Sequence, residues 1–94
     1  MNQQIPTVGR SVHYRLSAED VKTIEYRRKA AYSDLTGNSV CVGDTLPMTI
    51  VKVWGNTPES AVNGHVLLDG YDTLWVASVG CGEGPRTFSW PPRV

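Results

Sequence analysis

Two short apolar runs joined by a glycine-containing turn decide the fold. Residues 65–79 read HVLLDGYDTLWVASV, with residues 70–72 (GYD) between the runs. Strand-forming runs of this length on either side of such a turn predict a β-hairpin. Because neighbouring residues of a strand point to opposite faces, we expect Leu74 and Val76 to point inward and Trp75 to point outward.

Strand-like patterns precede and follow the hairpin. Residues 8–16 (VGRSVHYRL) alternate apolar and polar side chains, which predicts a half-buried strand. Its inner face would carry Val8, Val12, Tyr14 and Leu16. Other runs typical of strands are residues 40–42, 46–54 and 86–90, and residues 63–64 (Asn-Gly) are a turn signal just before the hairpin.

One segment has the pattern of a helix. Ser17 and Asp20 form an S-x-x-D start signal, and Glu19 adds a second acid to the first turn, where the helix dipole favours negative charge. Apolar residues then recur at helical spacing, and residues 35–38 (LTGN) provide a stop. We expect a helix over about residues 18–33.

Five strands and one helix predict a mainly β, α+β fold. Successive strands of this length curl into a small barrel or sandwich. We expect a five-stranded, partly open antiparallel barrel like that of Src-homology-3 (SH3) domains. The helix, inserted after the first strand, would pack on its side or across an open end. The length of 94 residues allows a single β-rich domain over residues 1–94.

Charge and composition limit the classes of partner. Nine Lys and Arg balance nine Asp and Glu, so the formal net charge is zero, which argues against general nucleic-acid binding. The start MNQQIPTVGR lacks the apolar run of a signal peptide, and no run has the length of a membrane span. We therefore expect a cytoplasmic protein in which Cys41 and Cys81 are free thiols, with a disulfide as the alternative.

No group of residues has the spacing of a catalytic or metal site. His13 and His65 stand in strand patterns at polar-facing positions, and neither cysteine has a base beside it in the sequence. We expect no enzyme activity, no metal and no cofactor. The glycines of residues 80–84 (GCGEG) could cradle an anion, but a strand rather than a helix follows them, so a hairpin loop is favoured.

The chain has more aromatic residues than its small core is expected to bury, and this excess suggests a binding surface. The chain has three tryptophans, four tyrosines and one phenylalanine, more rings than a thin core can hold. Rings beside cations stack flat bases and hold phosphates; core filling or an oligomer contact is the alternative. The predicted ligand-binding residues are three arginines for phosphate and three rings for stacking: Arg10, Arg86 and Arg93, with Trp54, Tyr71 and Trp75.

Several segments of the sequence resemble those of a known group of proteins. They are PTVGRSVHY near the start, LPMTIVKVWG in the middle, and VNGHVLLDGYDTLWVASV followed by WPPRV at the end. In these segments the chain resembles a family of small, mostly uncharacterised proteins of tailed bacteriophages and prophages. Residues 17–44 match least. The resemblance implies a phage product in the host bacterial cytoplasm and provides no catalytic residues.

Four functions follow from the residues and the resemblance together. The first is a non-enzymatic phage accessory protein that, as a homo-oligomer, sequesters a small nucleotide-derived immune signal of the host. The second is a protein-interaction module that inhibits a host protein through an aromatic groove. The third is a minor component of the virion. An enzyme is the least expected, because no acid–base or nucleophile arrangement is present.

Overall fold

The computed structural model describes residues 4–30 and 37–92 as a closed five-stranded barrel with one helix, a small SH3-like fold. The helix follows the first strand, as predicted. The elements in chain order are β1 (Ser11–Arg15), α1 (Ala18–Ala30), β2 (Thr45–Val53), β3 (Val62–Leu67), β4 (Thr73–Cys81) and β5 (Thr87–Ser89).

The barrel closes because the short last strand pairs on both sides. The first four strands pair antiparallel in chain order, with α1 in the connection between β1 and β2. The last strand, β5, pairs antiparallel with β1, where Tyr14 lies opposite Phe88. On its other side β5 runs parallel to the end of β4, where Gly80 and Cys81 lie opposite Thr87 and Phe88. The expectation of a partly open, wholly antiparallel sheet is therefore wrong at this one seam.

The interior of the barrel is filled by side chains. Val12, Tyr14 and Leu16 of the β1 segment are fully buried, which confirms the predicted inner face from Val12 onward. They pack with residues from every other strand and from α1: Ile24, Met48, Ile50, Val62, Val66, Leu74, Val76, Val79 and Phe88. Leu74 and Val76 point inward while Trp75 is exposed, as the alternation predicts.

Some local signals in the sequence were misleading. Val8 lies before β1 and is exposed, and residues 40–42 form no strand, although Val40 is buried. Asn63 and Gly64 lie within β3 rather than in a turn. A Cβ at Gly64 would lie 2.5 Å from Met48 Cγ and 2.9 Å from the Thr49 carbonyl oxygen, so this glycine serves close packing rather than chain reversal.

The start of α1 is tied to the barrel through one carboxylate. The Ser17 amide donates to Asp20 Oδ2 (2.9 Å), and the Asp20 amide donates to Ser17 Oγ (3.1 Å), which is the capping box that the sequence predicts. The buried Tyr14 hydroxyl donates to the same Oδ2 at 2.5 Å. Burial, followed by this bond, raises the pKa of Tyr14 above its ordinary value, so the hydroxyl stays a donor at neutral pH.

The far end of α1 is held mainly by ionic contacts. In α1, Ile24 is fully buried and the partly buried Val21 also packs against the core, so apolar contacts dock the first half of the helix. Arg28 instead forms a two-pronged ion pair with Asp72 at the β3–β4 turn, at 2.9 and 3.0 Å, and also donates to the Asn38 carbonyl (2.8 Å). Both side chains are largely shielded from solvent. Residues 31–33 of the predicted helix lie outside the described residues.

We expect replacement of Asp72 to lower the free energy of unfolding and to make that free energy less dependent on pH in the acid range. The Arg28 guanidinium lowers the pKa of Asp72 in the folded state, so the pair stabilises the fold fully above about pH 5 and less as the pH falls through the folded pKa. Asp72→Asn should cost about 2 kcal/mol at pH 7 and much less near pH 3. Urea unfolding at both pH values measures this.

Glu59→Gln is the matched control, because it removes an exposed carboxylate in the β2–β3 connection. Its unfolding free energy should follow that of the natural chain at both pH values. An Asp72→Asn variant that loses as much stability at pH 3 as at pH 7 would contradict the assignment.

Candidate binding surface

Of the six residues predicted to bind a ligand, the five that the structure describes do not form one cluster. Arg93 lies outside the described residues. Arg10 precedes β1, where its guanidinium stacks on Trp90 (4.9 Å to the ring centroid) and donates to Gln4 Oε1. Tyr71 is at the tip of the β3–β4 turn and is 83% exposed. These positions provide no shared cleft for a phosphate and a base.

Arg86 has a structural role at the start of β5. Its backbone has a positive φ of 62°, its amide donates to the Arg15 carbonyl (2.8 Å), and its Nη2 donates to the Ala77 carbonyl (3.1 Å). The side chain therefore links β5 to the irregular part of β4. One guanidinium donor is thus engaged with a protein carbonyl, which leaves fewer N–H groups for a phosphate.

Trp54 and Trp75 do share a surface, which we call the aromatic face. It is the outer side of β2, β3 and β4 and the residue after β2. Its members are Val51, Lys52, Trp54, His65, Leu67 and Trp75, all exposed. The two indoles are 57% and 56% exposed, and large apolar groups this open on a filled barrel are candidates for recognition.

Strand register assembles this surface. Thr49, His65 and Trp75 lie side by side across β2, β3 and β4, and all point away from the core because their neighbours Met48, Val66 and Leu74 fill it. The register shifts between Ile50 and Lys52, and such a bulge re-aims the side chains beside it. Val51 and Lys52 are consequently both exposed.

One amide fixes the Trp54 ring. Asn63 Oδ1 accepts from Trp54 Nε1 (3.0 Å) and from the Ser78 amide (2.8 Å). Ser78 has a positive φ of 55° at the point where the β3–β4 register shifts. Asn63 thus joins the indole to a strained position of β4, and strain of this kind is concentrated at functional sites. Sequence reasoning missed Asn63 because it took residues 63–64 as a turn.

A cation completes the environment of Trp54. Lys52 Nζ lies 4.9 Å from the centroid of the indole ring, within the range of a cation–π contact. The ammonium and the ring are therefore presented together at the surface. The sequence carried a signal for this pair, since Lys52 and Trp54 are two residues apart in a strand and so share a face.

A concave region lies beside the helix. It is a groove of about 610 Å³ between α1 and residues 37–40, lined by Glu25, Tyr26, Arg28 and Lys29 among others. Arg28 is already committed to Asp72 and Asn38, and the Glu25 carboxylate opposes an anionic guest. We therefore place the candidate site on the aromatic face.

Residues 4–30 and 37–92 contain no cluster of three or more His, Cys, Asp or Glu side chains arranged to hold a metal ion. No helix in that part of the chain is long and apolar enough to span a membrane. Cys41 and Cys81 are free thiols, as predicted, and both are exposed. In the glycine loop, the Gly82 amide donates to the Phe88 carbonyl, so this donor is unavailable to an anion.

Comparisons of the chain with protein-family models, with curated proteins and with solved structures found no match. The case for a function therefore depends on the geometry of the surface.

We expect Asn63→Ala to release the Trp54 ring. Loss of the shared acceptor should shift the indole N–H resonance of Trp54 in a ¹H–¹⁵N spectrum, speed its exchange with water, and cost about 1 kcal/mol of stability. Asn63→Asp keeps an acceptor oxygen and should preserve the slow exchange. Asn56→Ala, in the exposed β2–β3 connection, serves as the control. Equal exchange rates in all variants would exclude this role.

Proposed function

We propose that this protein is a non-enzymatic binding module that recognises a protein partner through the aromatic face. The observation that carries the proposal is the pair of half-exposed indoles, Trp54 and Trp75, on one outer face of a barrel whose interior is full. With the resemblance to phage proteins, the partner would be a host protein in the bacterial cytoplasm that the module inhibits.

The energetics of binding favour these residues as anchors. Tryptophan is enriched among the residues that dominate protein interfaces. A ring that is already hydrogen-bonded and stacked before binding loses little conformational freedom when a partner arrives. Trp54 meets this condition through Asn63 and Lys52. The aromatic face is therefore preorganised at one of its two indoles.

Closure of the barrel limits where a partner strand could add. Each of the five described strands pairs with two neighbours, but β5 meets β4 only at Gly80 and Cys81. Among the described residues, residues 73–79 of β4 therefore pair on the β3 side alone, and β-strand addition is restricted to that stretch. The exposed rings of the outer face instead provide recognition by side chains.

The outward curvature of the surface favours a macromolecular partner. Small-molecule sites are concave and bury most of the ligand, whereas the outer side of a barrel is convex. A partner protein can cover such a surface from outside and can bury both indoles at once. For a nucleotide, a second subunit would have to supply the opposite wall.

Truncating either exposed indole should abolish capture of the partner. We expect Trp75→Ala to weaken binding by about 2 kcal/mol or more, which is about 30-fold, without loss of fold because the ring is outside the core. The measurement is affinity capture from bacterial lysate, followed by titration of the protein recovered. Tyr26→Ala removes an even more exposed ring from α1 and should leave capture intact.

Two results would contradict the proposal. One is the absence of any stoichiometric partner with the natural chain. The other is equal capture by the Trp75→Ala and Tyr26→Ala variants, since the partner would then bind elsewhere on the molecule.

The second candidate function is sequestration of a nucleotide-derived immune signal by a homo-oligomer. The observation in its favour is the Lys52 ammonium above the Trp54 ring, because stacking beside a cation suits a base and its phosphate. In this version the lysine takes the part that the sequence assigned to Arg10 and Arg86, and the facing subunit encloses the ligand.

Calorimetry distinguishes this candidate from the first. If it is correct, a cyclic dinucleotide or a cyclic ADP-ribose isomer should release or absorb heat on titration, and Lys52→Ala should reduce the affinity. Light scattering should give more than one chain per particle. The absence of heat with all of these nucleotides, from a protein monomeric by light scattering, would exclude it.

A further inference from the structure

We infer that the segment that docks on the aromatic face is an acidic peptide with apolar anchors, contributed by the partner protein. The inference rests on the proposed function and deepens it by naming the chemistry of the partner. It is carried by the charges of the face, and not by its rings alone.

The aromatic face presents positive charge without a carboxylate. Lys52 is its one permanently charged member, with the His65 imidazole on the next strand and the two indoles and Leu67 around them. The strand sequences are TLPMTIVKV, VNGHVL and TLWVASVGC for β2, β3 and β4. None of them contains Asp or Glu.

The carboxylates beside the face lie in its connections. Glu59 follows β2, while Asp69 and Asp72 precede β4. Asp69 accepts from Asn38 Nδ2 (2.7 Å) and Asp72 is paired with Arg28, so both acids at the β3–β4 turn are engaged with the helix side of the molecule. Glu59 is exposed in the β2–β3 connection, outside the three strands. The charge carried by the strands of the face is therefore positive, from Lys52.

Charge complementarity favours an acidic segment over a second copy of this chain. A second copy docked by the same face around a two-fold axis would bring Lys52 against a surface that carries a second lysine and no acid, which costs free energy. A segment that carries carboxylates can instead pair with Lys52 at the rim. Its aliphatic or aromatic side chains would cover Trp54 and Trp75, where water is excluded.

Selection from a library of random displayed peptides tests this without choosing the sequence in advance. The whole chain serves as the target, and peptides that also bind the Trp54→Ala/Trp75→Ala variant are removed. We expect the enriched peptides to have net negative charge and at least one large apolar residue. Their synthetic versions should bind about tenfold more weakly to Lys52→Glu, where attraction becomes repulsion.

A matched control separates local from global charge. Lys22→Glu makes the same change of net charge on exposed α1, and it should leave the affinity of these peptides within about twofold of the natural chain. A selection on Lys52→Glu should in turn enrich basic peptides. Strand propensity alone also changes the Asp content of selected peptides. Because propensity does not depend on the charge at position 52, it would not produce this change from acidic to basic peptides.

Three outcomes would overturn the inference: no enrichment, enriched peptides that are neutral or basic with the natural chain, or equal weakening by Lys22→Glu and Lys52→Glu. The proposed function can survive each of them. If lysate capture is lost with Trp75→Ala yet unchanged with Lys52→Glu, the aromatic face binds a partner whose charge is irrelevant.

Discussion

The constraint on which the structure depends is the small volume enclosed by five short strands. Tyr14 and Phe88, opposite each other on β1 and β5, and the aliphatic side chains around them already fill that volume. Trp90 is accommodated only partly, at the edge of the core and under Arg10. The remaining indoles therefore have no interior position to occupy, and the alternation of the strands turns them to the outside.

The helix is attached by an ionic contact in addition to the packing that forms the barrel. Ile24 and the partly buried Val21 join α1 to the core, the Tyr14 hydroxyl donates to Asp20 at its start, and Arg28 pairs with Asp72 at its end. An ion pair of this type is geometrically specific but responds to pH and to loss of one partner. The barrel and the end of the helix should accordingly differ in how they respond to acid.

Features that depend on short-range patterns could be predicted from the sequence. The period of two in residues 12–16, the capping box at Ser17 and the outward direction of Trp75 all follow from neighbours within a few residues. The parallel seam between β4 and β5, the place of Gly64 in a strand and the two bulges could not, because they depend on which strand lies opposite. The aromatic face was predicted in part: Trp54 and Trp75 were identified. Lys52 was overlooked although its spacing from Trp54 indicates a shared face, and Asn63 becomes visible only with the cross-strand register. Arg10 and Arg86 were assigned to a ligand on residue type, whereas their contacts with Trp90 and Ala77 depend on the folded chain.

The circular pairing of the strands has a consequence for behaviour at high concentration. Proteins with open sheets risk adding copies of themselves edge to edge, which is how fibrils grow. Here the ring of described strands is closed, and the longest stretch that pairs on one side only is residues 73–79 of β4. Edge-to-edge growth would therefore have to begin at that stretch, while the other strands offer no comparable edge beside the uncovered tryptophans.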